Sequence, residues 1–286
     1  MMFTPDKTKR LLCALSTLTL LGAFANLPAV AASFTFSTGS PDGKIATLSR
    51  PASGSTIQTE TADDFILSQL TSLTSATFTG LLPSQSPAGN ISQVEIEFYH
   101  VFPGDSANPP SGNVPVRNNS PSDVEIASAT RDSVAGTLSF TVTVLNMSFT
   151  VANTVVNGIN KAPGQFTGGE GPATGEEVQI RVDFNTPVLL PGDHYFFRPE
   201  VLLSNGDFLY LSAPKSSTAT DLQSWIRNDG LAPDWLRIGT DITHQGPFNA
   251  SFSLSGDTIP EPGSMALLGI GLAGMLTFGR RLSRKA

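Results

Sequence analysis

From Val94 onward, apolar side chains recur at every second position. Val94, Ile96, Phe98, His100 and Phe102 fall on one side of an extended chain, and Gln93, Glu95, Glu97 and Tyr99 fall on the other. A chain with this period buries one face as a half-buried strand, which a helical stripe of period 3.6 does not do. The period recurs at Leu138, Phe140, Val142 and Val144, at Val178, Ile180, Val182 and Phe184, and at Phe248, Ala250, Phe252 and Leu254. Shorter runs predict strands at 64–67, 73–79, 124–129, 194–203, 208–212 and 235–238. Clusters such as Pro41-Asp42-Gly43, Pro103-Gly104-Asp105, Pro191-Gly192-Asp193 and Asn205-Gly206-Asp207 separate them, and glycine and proline supply the backbone angles that tight connections need. Away from the chain ends only 221–227 suggests a short turn of helix. The expected class is all-β, a single antiparallel β-sandwich that is jelly-roll-like. The Gly-, Pro- and Thr-rich stretch 157–177 reads as a long sandwich loop inside one domain, because the strands on both sides have the same character.

The two ends carry a different pattern. Lys7, Lys9 and Arg10 precede an apolar run from Leu11 to Ala25 and the small residues Ala29, Val30, Ala31 and Ala32. That order is a secretory signal peptide cut at Ala31 or Ala32. Cys13 lies within the apolar run and not at the cut site, so lipidation is not expected. At the other end Pro260, Glu261 and Pro262 precede an apolar, glycine-spaced stretch from Gly263 to Gly279, closed by Arg280, Arg281, Arg284 and Lys285. The stretch is slightly shorter than the ~20 residues of a full span, but the flanking arginines can reach the interface. The basic cluster then acts as a membrane stop that stays in the cytoplasm while the rest of the chain faces outward. The expected division is 1–31 signal peptide, 32–258 sandwich domain, and 259–286 sorting and anchor segment with a transmembrane helix.

The triplet Pro260-Glu261-Pro262, the helix with Leu267, Leu268, Gly269, Gly271 and Gly274, and the closing arginines together resemble the PEP-CTERM sorting domain. The resemblance covers about residues 259–286 and implies a substrate of exosortase, a membrane-embedded transpeptidase-like enzyme of Gram-negative bacteria that make exopolysaccharide. On that reading Pro260, Glu261 and Pro262 are recognition residues and not catalytic ones. The implied partners are signal peptidase, exosortase, the membrane through the C-terminal helix before processing, and exopolysaccharide. The implied course is export, tethering at the inner membrane, then delivery to the cell envelope or extracellular matrix. A plain C-terminal anchor with the triplet as rigid linker is the alternative.

Charge narrows the partners of the middle. Of 17 lysines and arginines, seven lie in the two ends, and of 24 acids only Asp6 and Glu261 do, which leaves ten bases against twenty-two acids and a net charge of −12. Such a surface repels nucleic acid and anionic lipid. The only cysteine is Cys13, so the mature chain has neither disulfide nor thiolate site.

The sandwich segment offers residues for three chemistries. Gly104-Asp105-Ser106, Asn228-Asp229 and Asp241-Ile242-Thr243-His244 follow the order of SGNH-type esterases, in which serine attacks, histidine accepts its proton and an aspartate three residues earlier orients the imidazole. A β pattern on both sides of Ser106, and Ile226 where that family has glycine, argue against an enzyme. Calcium would favour Asp63-Asp64, Glu170, Glu176-Glu177 and Asn205-x-Asp207, but no EF-hand or nonapeptide pattern accompanies them, so no cofactor or metal is assigned. A carbohydrate-binding module would stack sugar on Trp225 or Trp235. Core packing competes, since burying about 200 Å² at ~25 cal/mol per Å² gains several kcal/mol. The sequence therefore predicts a non-enzymatic exported surface or exopolysaccharide-associated matrix protein, with a sugar-binding module and a secreted esterase as alternatives.

Overall fold

The computed structural model describes residues 31–83, 87–102, 112, 114–159, 166–215 and 223–259. Within them Ser33–Thr258 forms one compact unit, and nearly all of the two chain ends lies outside the described residues. The strands are β1 Ala32–Ser37, β2 Ile45–Leu48, β3 Thr59–Ile66, β4 Thr71–Pro83, β5 Ile91–His100, β6 Arg131–Asp132, β7 Leu138–Val151 and β8 Asn153–Val155. They continue with β9 Ala173–Leu190, β10 His194–Leu203, β11 Leu209–Ala213, β12 Trp225–Asn228, β13 Leu236–Arg237, β14 Asn249–Ala250 and β15 Phe252–Thr258.

These strands build an all-β sandwich of a nine-stranded and a six-stranded sheet. Strand β4 organises the larger one. Along one edge it pairs with β9, which pairs in turn with β7. Along the other it meets β15 over its first part and β11 over its last. The smaller sheet runs β13-β12-β3-β10-β5-β6. Reading β2-β11-β4-β9 against β3-β10-β5-β6 gives the strand order of a jelly roll, in which successive strands of the two rows cross between the sheets except from β5 to β6. Within these two rows the pairs β2–β11, β11–β4, β4–β9, β3–β10, β10–β5 and β5–β6 are antiparallel, while β2–β8 is parallel.

The period of two decides which faces meet. Phe65, Phe78, Phe98 and Phe197 of β3, β4, β5 and β10, Phe208 just before β11, and Phe252 of β15 interlock in one core. Phe197 stacks on Phe252 at 5.0 Å, and Phe78 meets Phe208 edge-on at 5.7 Å, a geometry that adds to the burial of apolar area. At Gly80 a Cβ would lie 2.0 Å from Phe208 Cε2, so only glycine admits this ring against β4.

Three local expectations are corrected. Residues 124–129 form no strand; they end in a 3-10 turn at Ala127–Ala129, and the Ile126 N–H donates to the Phe98 carbonyl. The end of 221–227 is strand β12 and not helix, because its backbone pairs with β3, Trp225 opposite Ala62 and Arg227 opposite Glu60. The stretch 157–177 is shorter as a loop, since β9 already begins at Ala173.

Candidate functional site

The sorting triplet Pro260, Glu261 and Pro262 and the stop cluster Arg280, Arg281, Arg284 and Lys285 lie outside the described residues, as does Ser106. Ala31 and Ala32 are exposed at the start of β1. No helix among the described residues is long and apolar enough to cross a membrane.

The densest chemistry sits on the outer face of the six-stranded sheet. Alternation places Glu60 of β3, Glu95, Glu97 and Tyr99 of β5, Arg198 and Glu200 of β10, and Arg227 of β12 on this one face. The simple reading of β5 would leave this side in water. Instead the segments around 114–126 and 229–235 cover it: Arg227 Nη1 donates to the Asp123 carbonyl at 3.0 Å and to the Pro233 carbonyl at 3.3 Å, and Arg117 Nε forms an ion pair with Asp234 at 2.8 Å. Arg198 is 1% exposed and Glu200 0% exposed.

Arg198 is the hub. Its Nη1 meets Glu200 Oε2 at 2.5 Å, its Nε meets Glu60 Oε1 at 3.3 Å, and its Nη2 contacts Glu97 and lies 3.8 Å from Glu95. Arg227 donates to the same Glu60 carboxylate through Nε and Nη2, and its guanidinium lies 4.3 Å over the Trp235 ring. Tyr99 Oη is 2.9 Å from Glu60 and 2.6 Å from Glu97, and Gln58 Nε2 donates to both oxygens of Glu200 at 3.1 and 3.0 Å. Four carboxyl groups thus share two guanidinium ions.

Burial, opposed by the two guanidinium ions, shifts the carboxyl groups. Burial pushes Glu200 up to about 8 against the pull of Arg198, and burial pushes Glu95 up to about 7. Burial also opposes ionisation of Glu60, but Arg198 and Arg227 outweigh it and hold Glu60 below its usual value. The cluster is a buried ionic network in which burial favours the protonated forms of Glu200 and Glu95.

A second polar feature lies at the end of the same sheet. A groove of about 600 Å³ is lined by His100, His194, Asp193, Glu125, Ser122 and Val124 among others. His194 Nε2 is 2.6 Å from Asp64 Oδ2, and Asp64 Oδ1 accepts the Gln223 N–H at 3.0 Å. Neighbouring Asp63 faces the opposite way, into the sandwich, where Oδ2 accepts the Ala250 N–H at 2.6 Å. Burial, and then the charge of Asp64, raise Asp63 well above the carboxylate range.

Five of the candidate calcium acids are engaged elsewhere. Asp63 and Asp64 diverge. Glu170 accepts the backbone N–H groups of Val156, Asn157 and Gly158, each at 2.9 Å, and so fixes the turn after β8. Glu176 accepts the Ala88 N–H, and Asp207 pairs with Arg50. Among the described residues no group of three or more His, Cys, Asp or Glu side chains is arranged to hold a metal.

Of the esterase pattern, Ser106 lies outside the described residues, and Asp241 and His244 have other neighbours. Asp241, which would orient His244, is held bidentately by Arg237 at 2.7 and 3.0 Å, while His244 is exposed and packs its ring 4.0 Å from Phe166. Asn228 Oδ1 caps the following turn by accepting the N–H groups of Gly230 and Leu231, each at 3.1 Å. Both tryptophans are 1% exposed: Trp235 meets Tyr99 edge-on at 5.5 Å, and no ring face is open to a sugar.

The buried network was the feature that sequence reading missed. Its signal was present in β10, where Arg198 and Glu200 alternate within the apolar run His194–Leu203, and in Glu95, Glu97 and Tyr99 at the same spacing in β5. Charges two apart in a strand that has no solvent face must find partners on the adjacent strands.

No curated protein and no solved structure matches this chain. Residues 258–285 match the family model of the PEP-CTERM protein-sorting motif, and this tail supports export of the chain as an exosortase substrate.

Proposed function

We propose that the chain is a non-enzymatic structural protein of the cell envelope or its exopolysaccharide matrix. It is exported by its signal peptide, held at the inner membrane by the C-terminal helix and released by exosortase at Pro260-Glu261-Pro262. The observation that carries this reading is the place where the sorting motif begins. The match starts at residue 258, and β15, the last described strand, ends at Thr258. Cleavage near the triplet therefore removes none of the described residues that pair in either sheet, and the body leaves the membrane with its described sandwich complete. The engagement of Asp241, Asn228 and the acidic loops in turns and ion pairs supports a body without catalytic machinery or resident metal. The association with exopolysaccharide rests on the family resemblance.

The test is the intact mass and cell fraction of the protein in hosts with and without an exosortase, with the triplet intact or replaced by alanine. The reading expects loss of the tail, and release from the inner membrane, only when enzyme and triplet are both present. A tail retained in every case would make it a plain anchor.

A further inference from the structure

We propose that β7 is a self-association edge, at which two copies of this chain join their larger sheets in antiparallel register. The argument rests on the sheet geometry and is independent of the tail. Among the described residues the only strand paired with β7 is β9, which leaves its other edge without a strand partner. An unpaired edge is a row of backbone donors and acceptors ready for another strand, and proteins usually blunt it by shortness, charge, proline or bulges. The edges formed by β6, β8 and β13 are two or three residues long. Strand β7 has 14 residues, LSFTVTVLNMSFTV, with no charge, no proline and no glycine.

Bulges divide this edge. The register against β9 shifts between Val144 and Asn146 and again between Asn146 and Phe149, which twists the later half away. Leu138–Val144 pairs without interruption, and here Ser139, Thr141 and Thr143 are exposed while Phe140 and Val142 are half-buried.

The pattern of this half selects the partner. Its apolar residues are 138, 140, 142 and 144, and its hydroxyl residues are 139, 141 and 143. About a two-fold axis at Thr141, antiparallel pairing sets Leu138 against Val144, Ser139 against Thr143, and Phe140 against Val142, so each face meets its own kind. Aromatic with β-branched and hydroxyl with hydroxyl are favourable cross-strand pairs. Charge points the same way. A body of net charge −12 repels its copies, and an uncharged edge is where that repulsion is least; the nearest charges on β9, Arg181 and Asp183, neutralise each other at 2.6 Å. Seven residues at ~3.4 Å each, across a sheet roughly 10 Å thick, bury on the order of 500 Å² in all. That is below the ~1,000 Å² of a stable interface, so the contact is weak and matters when copies are crowded on a surface.

Disulfide trapping of the full chain tests the register. In a Cys13→Ser background, copies with Ser139→Cys and copies with Thr143→Cys are tagged differently, mixed and oxidised. The axis at Thr141 expects several-fold more mixed disulfide than either homodisulfide, with no such excess when Val134→Cys, which is exposed outside the strand, replaces one partner. Adding Thr141→Lys to both copies should abolish the excess, and Thr141→Lys on one with Thr141→Glu on the other should restore it. Equal yields in all mixtures, or an excess indifferent to charge at 141, would overturn the proposal.

Discussion

Replacing Arg198 by methionine tests whether the ionic network fastens the outer face of the smaller sheet. Methionine keeps much of the length and removes the charge, so the packing loss is small and the electrostatic loss dominates. Arg198 is the guanidinium that reaches Glu200 and Glu97 and lies nearest Glu95, while Glu60 retains Arg227. After the change, buried carboxyl groups have one cation to share. Removing one side of a buried ion pair costs ~3–5 kcal/mol, and at ~2–4 °C per kcal/mol for a domain of this size the melting temperature should fall by about 6–20 °C. The loss also has a pH signature. Without Arg198 the Glu200 and Glu95 carboxyls, already raised, rise further above their unfolded values, so the stabilising protons are fully bound in acid and are lost as pH rises through the folded values. Urea unfolding at pH 5 and pH 8 should therefore show the larger deficit at pH 8. A deficit below ~1 kcal/mol at both pH values, which is the scale of exposed ion pairs, would refute the reasoning, as would a larger deficit in acid.

Two further changes test other parts of the account. With Glu200 raised to about 8 and Glu95 to about 7, their contribution is present below the unfolded value and is lost as pH climbs toward 8. Glu200→Gln should reduce the downward slope of stability between pH 5 and 7 by about 1.4 kcal/mol per pH unit, and an unchanged slope in denaturant titrations would contradict the assignment. Gly175→Ala would place a Cβ 1.9 Å from the Leu82 carbonyl oxygen on the paired strand β4, where only backbone movement gives relief. It should cost ~1–3 kcal/mol, whereas Gly89→Ala, which meets nothing within 4 Å, should stay within about 0.5 kcal/mol by thermal melting.

The strands legible in the sequence were those with one apolar face. Val94, Ile96 and Phe98, and likewise Val178, Ile180 and Val182, meet the core that their period predicts, because alternation alone fixes which face is buried. The sorting tail was also legible, being a linear signal of triplet, apolar stretch and basic cluster that needs no fold to be recognised. Tertiary structure decided the rest. Strands β2, β8 and β12 are three or four residues long and are held by their neighbours, with too little sequence to show a period. Glu97 and Tyr99 carry a solvent-facing pattern yet are buried, because segments distant in the chain cover them and supply counter-charges from β10 and β12. Polarity in a sequence records the need for a partner, and whether water or a folded segment meets that need is decided only by what the fold lays over that face.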